Sequence, residues 1–345
     1  MKMSLSCLTI EKSQQWDSIV RSFANHDVYY LSGYAKAFQL HGDGEPLLFY
    51  YEDETVRGIN VVMKRDIAKD VHFIGKLPEG QYFDFSTPYG YGGWLIEGVG
   101  NTQRMYDTYF HWCADHGIVS EFIRFSLFSN SREAYFGEVI PRMKNVIRTL
   151  DRPMDDMLME FEHKVRKNYN RAKNAGLELL IDSKGERLAD FLKIYYGTMD
   201  RNSAEDGYYF KKDFFETINS MNGDYVYFHV AFEGKIISTE LVLLGRETMY
   251  SYLGGTDSKY YANRPNDFLK CEVIRWGIEH GYKNFVLGGG YGTEDGIFRY
   301  KKSFAPNGIV QYYLGQKVVD AATYENLIAI RGNVNSSDFF PKYRG

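Results

Sequence analysis

The sequence predicts two mixed α/β domains in tandem. Three observations carry this. The 345 residues, 44% hydrophobic and 25% charged, suffice for two ordinary cores of about 150 residues each. Helical and strand patterns are interleaved along the whole chain, which selects mixed layers over an all-α or all-β architecture. The order of helices, β-meander, helix and strand runs once up to residue 150 and starts again at 151 with no low-complexity linker between.

In the first half, residues 14–24 and 30–40 read as short helices. The apolar, β-branched runs Glu45–Tyr51 and Val56–Arg65 form a hairpin turned at Glu52–Thr55. An aromatic, Gly-rich stretch, Tyr82–Trp94, precedes a helix over Thr102–His116, where Met105, Tyr109, Trp112 and Cys113 fall at helical spacing and Gly117 is the stop. Ile118–Phe128 and Val146–Leu150 read as strands.

In the second half, one long amphipathic helix is expected over 154–175. Leu158, Phe161, Val165, Tyr169 and Ala172 lie on one face and Gly176 closes it. A strand (177–182), helices (186–200 and 212–221) and a meander (Tyr225–Glu233, Lys235–Leu244, Thr248–Leu253) follow. Then come a helix over Asn266–His280 with Asn266 as N-cap, a strand Asn284–Leu287 running into Gly288–Gly290, a last strand pair or extended piece over Ile309–Val319 and a terminal helix over 321–331.

Several function classes find no support. No HExxH, GxSxG, P-loop or CxxC pattern occurs, and the eight histidines show no ligand spacing. A net charge of -4 gives no global reason to bind nucleic acid or an anionic membrane, although a local basic surface can still do so. Three widely spaced cysteines suit a reducing compartment. The N-terminal apolar run is too short for a signal peptide and no stretch approaches a membrane span, so the expectation is a cytoplasmic protein without membrane insertion. The sequence does not set its oligomeric state.

The residues leave some readings open. Gly288–Gly290 is either a bulged strand end or a place where substrate approaches the backbone. The basic half of the 154–175 segment either complements the helix dipole or holds phosphates, with Lys164, Lys167 and Arg171 on one face. Glu240, inside the apolar run IISTELVLL, is either a paired sheet carboxylate or a base or amine-binding group. Arg201 is a helix-capping cation or an anion clamp, and Lys301 is a surface lysine or a functional one.

Five stretches bear on these alternatives: FDFSTPYGYGGW (83–94), HKVRKNYNRAKNAGLEL (163–179), TMDRNSAEDGYYF (198–210), YSYLGGTDSKYYANRPNDFLKCEVIRWG (250–277) and FVLGGGYGTEDGIFRYKKSF (285–304). In this order the chain resembles the FemAB/FemX-like peptidyltransferases, the methicillin-resistance-factor type, which are built from two tandem acetyltransferase-like (GNAT) domains. The resemblance implies an aminoacyltransferase in which an amine of a cell-wall precursor, a muramyl pentapeptide, attacks the ester of an aminoacyl-tRNA co-substrate, with no bound cofactor. It also implies domains at 1–150 and 151–317, with 318–345 packing back on the first. By the same resemblance Lys36 and Arg201 contact phosphate, and Tyr300 and Lys301 match an aromatic–Lys pair at the transfer site, Tyr standing where the family has Phe. Tyr89, Tyr91, Arg166, Gly289 and Gly290 are further substrate-binding candidates, and Glu240, Asp257 and Tyr252 are candidates for a base. No inserted coiled-coil arm is present. An acetyl-CoA-dependent N-acyltransferase is the alternative, although the turn before Asn266, SKYYANRPN, lacks the glycines that cradle a CoA pyrophosphate and carries a Pro. A binding module that has lost turnover is a third reading.

Overall fold

A computed structural model describes residues 4–292, 295–332 and 339–345. The chain divides into two compact units, 1–142 with 312–345, and 143–311. The expected divisions at 150/151 and 317/318 lie several residues further along.

In the first unit, β1 (Ser4–Thr9) is followed by α1 (Ser13–Ser22) and α2 (Ser32–His41). Next come β2 (Glu45–Glu52), β3 (Val56–Asp66), β4 (Phe83–Ser86), β5 (Leu95–Gly98), α3 (Gln103–Asp115) and β6 (Ile118–Arg124). The second unit takes up the chain within β7 (Glu138–Thr149) and continues through α4 (Met154–Glu160), α5 (His163–Asn174), β8 (Glu178–Asp182), α6 (Leu188–Asn202) and α7 (Lys212–Asn219). The meander β9 (Tyr225–Phe232), β10 (Lys235–Leu244) and β11 (Thr248–Thr256) leads to α8 (Pro265–Glu279), β12 (Asn284–Gly288) and α9 (Gly296–Lys302). Within β13 (Ile309–Val318) the chain returns to the first unit and ends in α10 (Ala321–Arg331).

The two units repeat one strand plan. The first runs β1-β2-β3-β4-β6-β13, and β5 adds to β3; the second runs β8-β9-β10-β11-β12-β7. In each, three antiparallel pairings lead to one parallel pairing, β4 with β6 and β11 with β12, and then to a final antiparallel partner. A parallel pair needs a crossover, and α3 and α8 supply it. Two helices separate the first strand from the second in both units.

The cores follow from side-chain alternation. On β9, Val226, Phe228 and Val230 pack with the apolar face of α8, Phe228 standing edge-on to Trp276 at 5.3 Å. The alternate residue Tyr227 meets Phe191 of α6 at 5.0 Å. A strand covered on both faces has no polar side to show, hence the unbroken run YVYFHVAF. In the first unit Tyr109 of α3 packs edge-on to Phe49 and Trp94 at 5.0 and 5.2 Å.

Two expectations are corrected. The helix expected over 154–175 is two helices, because Phe161 and Glu162 are extended (ψ 152° and 144°). Phe161 stays in the core, and the Glu162 N–H donates to Ser303 O at 2.9 Å, a tertiary bond that outcompetes helical continuation. Asn266 is not the N-cap of α8. Arg264, in the left-handed region at φ 61°, precedes Pro265 at the first helical position, and Asn266 Oδ1 accepts from Thr256 and Ser238 hydroxyls instead. Strands β1, β4 and β5 and the short α9 were not anticipated. Thr293 and Glu294, within the stretch 285–304, lie outside the described residues.

Candidate active site

The site lies in the second unit where its parallel strands end their pairing. β11 and β12 are paired over only three residues each, Thr248–Tyr250 with Asn284–Val286. β11 continues to Thr256, while β12 shifts register beyond Val286 and stops at Gly288. Backbone beyond a lost ladder leaves room for side chains and ligand between the strands.

Four side chains from four elements converge there. Glu240 of β10 is 5% exposed; its Oε1 accepts from Lys270 Nζ of α8 at 2.5 Å and from Ser251 Oγ of β11 at 2.5 Å. Lys270 Nζ also donates to Ser251 Oγ at 2.9 Å. A carboxylate buried this deeply requires such a partner. Lys301 of α9 donates from Nζ to Gly289 O at 2.6 Å. Its enclosure by protein, with the Lys270 charge nearby, pushes the amine down to about 8, against the upward pull of Glu240 and Asp295.

The Gly288–Gly290 run has a local cause. A Cβ on Gly288, which sits at φ 82°, would stand 3.2 Å from Lys301 Nζ, and one on Gly290 would strike the Asp295 carboxylate at 2.3 Å. That carboxylate caps α9 by accepting from Phe298 N at 2.7 Å, and it also accepts from Tyr291 N and Gly292 N at 2.6 and 3.1 Å. Lys301 and Asp295 thus grip the glycine loop from either side.

The remaining expected residues fall in several places. Tyr300 packs edge-on to Phe304 at 5.2 Å, and its hydroxyl is driven up by burial and by the Asp267 and Glu240 charges, so Tyr300 and Lys301 both face the Glu240 environment. Tyr252 sits at the β10–β11 register shift, next to Ser251. Asp257 is less suited to a base. It accepts from Lys259 N and pairs with Lys235 at 3.2 Å, and both lower its carboxyl. It lines a cleft of about 400 Å³ together with Arg201, whose Nη1 donates to Thr256 O at 3.2 Å. Arg166 donates to Met159 O at 2.8 Å, closing the end of α4 rather than meeting the residues around Lys301. In the first unit, Lys36 donates to Gln39 at 2.9 Å. There the Tyr89 backbone carbonyl accepts from Tyr34 at 2.5 Å, and Tyr91 packs edge-on between Tyr29 and Tyr312 at 5.4 and 5.7 Å.

Lys270 and Ser251 were not singled out from the sequence. The signal was present: Lys270 stands between Leu269 and Cys271, in the helical row Asn266, Lys270, Ile274 that faces the sheet. A lysine on a buried helix face and a glutamate in an apolar strand call for each other.

The N-terminus of α8 is poorly suited to a diphosphate. Pro265 removes one N–H, and Asp267 in the first turn, its carboxyl raised by burial, takes a hydrogen bond from Asn168 at 3.2 Å.

Residues 160–302 match the acetyltransferase (GNAT) domain family model, so this part of the chain is of the acyltransferase class. The repeated sheet plan makes the whole a tandem GNAT-fold protein. Its architecture is FemX-like: the crystal structure of FemX superimposes with a TM-score of 0.65 at 14% identity, covering 94% of this chain and 99% of that one. Similar in fold are L-PGS from Bacillus licheniformis (TM-score 0.59, 15% identity, 92% and 96% covered) and a conserved protein of unknown function from Bacteroides thetaiotaomicron (0.60, 11%, 91% and 99%). No curated protein sequence matches the chain. Among the described residues, no helix is long and apolar enough to cross a membrane.

Proposed function

We propose that the protein is an aminoacyltransferase that moves an amino acid from the ester of an aminoacyl-tRNA to the amine of a muramyl-peptide cell-wall precursor. The observation that carries this reading is Lys301, whose enclosed amine is held at the end of β12 beside the Glu240–Lys270 pair. In aminolysis the acceptor nitrogen bonds to the ester carbon, the carbon–oxygen bond to the ribose breaks, and the proton lost by nitrogen goes to the departing ribose oxygen. The developing oxyanion needs a donor fixed in advance, and the Lys301 Nζ is such a donor. No nucleophile of the protein's own is required; of the four converging side chains two are lysines, one is a carboxylate and one is a serine whose hydroxyl donates to Glu240.

An acetyl-CoA-dependent transfer is the second reading, favoured by the domain match over 160–302. The Pro265 and Asp267 start of α8 favours the first. The test offers labelled aminoacyl-tRNA or labelled acetyl-CoA with a muramyl-pentapeptide acceptor. Label is expected to move from the aminoacyl-tRNA only; transfer from acetyl-CoA alone reverses the assignment. Lys301→Ala is expected to lower kcat/KM at least ~100-fold, the loss of one oxyanion donor, with little change in Tm.

A further inference from the structure

A second feature of the second unit bears no role in this chemistry. The cleft of about 400 Å³ runs along α6, lined by Arg187, Lys193 and Arg201 on the helix side and by Lys235 and Ile236 of β10 opposite. From Arg187 to Arg201 is fourteen residues, about 21 Å of helix. Lys193, Gly197 and Arg201 follow at four-residue steps and share one ridge. Between the two cations Gly197 is bare, with nothing within 4 Å of where its Cβ would stand, so the ridge dips there. Two carboxylates face the cleft as well: Asp257 is already neutralised by Lys235, and Asp190 remains. At the far end the Arg201 guanidinium lies 5.5 Å over the ring of Tyr261, which is 43% exposed.

A row of cations spaced over such a length fits a polymer of phosphates better than one diphosphate, which two cations would span. A cation stacked on an exposed aromatic ring is a surface for an unpaired base. The cleft is also tied to the reacting centre by one strand: β11 runs from Ser251, bonded to Glu240, to Thr256, whose carbonyl Arg201 holds, five steps or roughly 17 Å. That is the reach of a few unpaired nucleotides.

We infer that the α6 cleft is the RNA-binding groove of the enzyme, gripping the phosphodiester backbone of the donor tRNA a few nucleotides back from its aminoacylated end. This rests on the aminoacyl-tRNA reading above and adds the residues that tell a tRNA-borne ester from a free one.

The experiment measures binding of deacylated tRNA to the full chain against salt concentration, and transfer from two donors, aminoacyl-tRNA and aminoacyl-adenosine. Arg187→Ala with Lys193→Ala removes two exposed cations that bear no part of the fold. The double variant is expected to bind tRNA at least ~10-fold more weakly, with a salt slope lower by about 2, one per lost phosphate contact. KM for aminoacyl-tRNA rises, while kcat/KM for aminoacyl-adenosine, a donor too short to reach the groove, stays at the wild-type value. Unchanged tRNA affinity and slope overturn the inference, and so does an equal loss with aminoacyl-adenosine. A rise in KM for the muramyl-peptide acceptor instead overturns it by giving the groove to that acceptor. If the wild-type protein transfers from neither donor, the functional reading fails, and the tRNA-binding comparison still decides the groove.

Discussion

The two units share a strand plan but treat their parallel pair differently. In the first, the pairing of β4 with β6 runs on past Ser86: Thr87 N donates to Phe122 O at 3.0 Å, and Gly92 N to Arg124 O at 2.7 Å after the loop between. Backbone fills the gap. In the second, pairing stops at Tyr250 and Val286, and side chains fill it. Near this pair the first unit buries Glu121 and also Asp84 of β4, which pairs with Arg65 and Arg344, and the second buries Glu240. Glu121 of β6 is held by two hydroxyls, from Tyr109 at 2.6 Å and Tyr135 at 3.1 Å, whereas Glu240 is held by the Lys270 cation. With hydroxyls rather than a cation as its direct partners, Glu121 yields to burial, which raises it to about 7. The lesson is that one topology can be spent on structure or on a site, and the ladder beyond the parallel pair decides which.

The largest break in this comparison is Lys270→Ala. It strands the buried Glu240 charge and is expected to cost about 3–5 kcal/mol in denaturant unfolding. Replacing Lys270 and Glu240 together, by Met and Leu, is expected to recover most of it, because no charge is then left unpaired.

Glu121→Gln tests the other acid. With a folded value of about 7 against an ordinary 4.5, the unfolded chain ionises first as pH rises, so Glu121 erodes stability between pH 4.5 and 7 and no further above. The loss is about 3 kcal/mol, because each pH unit between the two values is worth about 1.4 kcal/mol. The wild-type curve of stability against pH is expected to carry this slope and the variant to lack it. A slope that persists assigns the effect to other groups.

The smallest effect concerns α1 and α6, which hold the same place in the two units. α1 has no glycine, whereas α6 keeps Gly197 at an open, exposed position. Gly197→Ala is expected to raise stability by up to about 1 kcal/mol, the helix-propensity gain. A loss of stability would show that the bare ridge is packed rather than open.

Much of this was legible in the sequence. The hairpin β2–β3, the meander β9–β11 and the helices α3, α8 and α10 followed from apolar period and turn chemistry, because local rules and tertiary packing agree there. Local rules failed where distant atoms intervened. The 154–175 segment has helical period throughout, yet Ser303 captures the Glu162 N–H and breaks it. Asn266 has the chemistry of an N-cap, but the Thr256 and Ser238 hydroxyls claim it. β4 and β5 are four residues each, one inside the glycine- and aromatic-rich stretch and one directly after it, too short to show alternation. At the site, Glu240, Tyr300, Lys301 and the glycine run were visible as unusual residues in their contexts. Lys270 and Ser251 were not, because only the topology brings α8 and β11 to Glu240.

The proposed chemistry turns on Lys301 being an enclosed amine of altered basicity rather than a surface lysine. Trace labelling with acetic anhydride across pH 6–11, read lysine by lysine by mass spectrometry, measures this without any substrate. Lys301 is expected to half-titrate near pH 8, well below the ~10.4 of a free lysine side chain. A Lys301 midpoint at that free value would contradict the account.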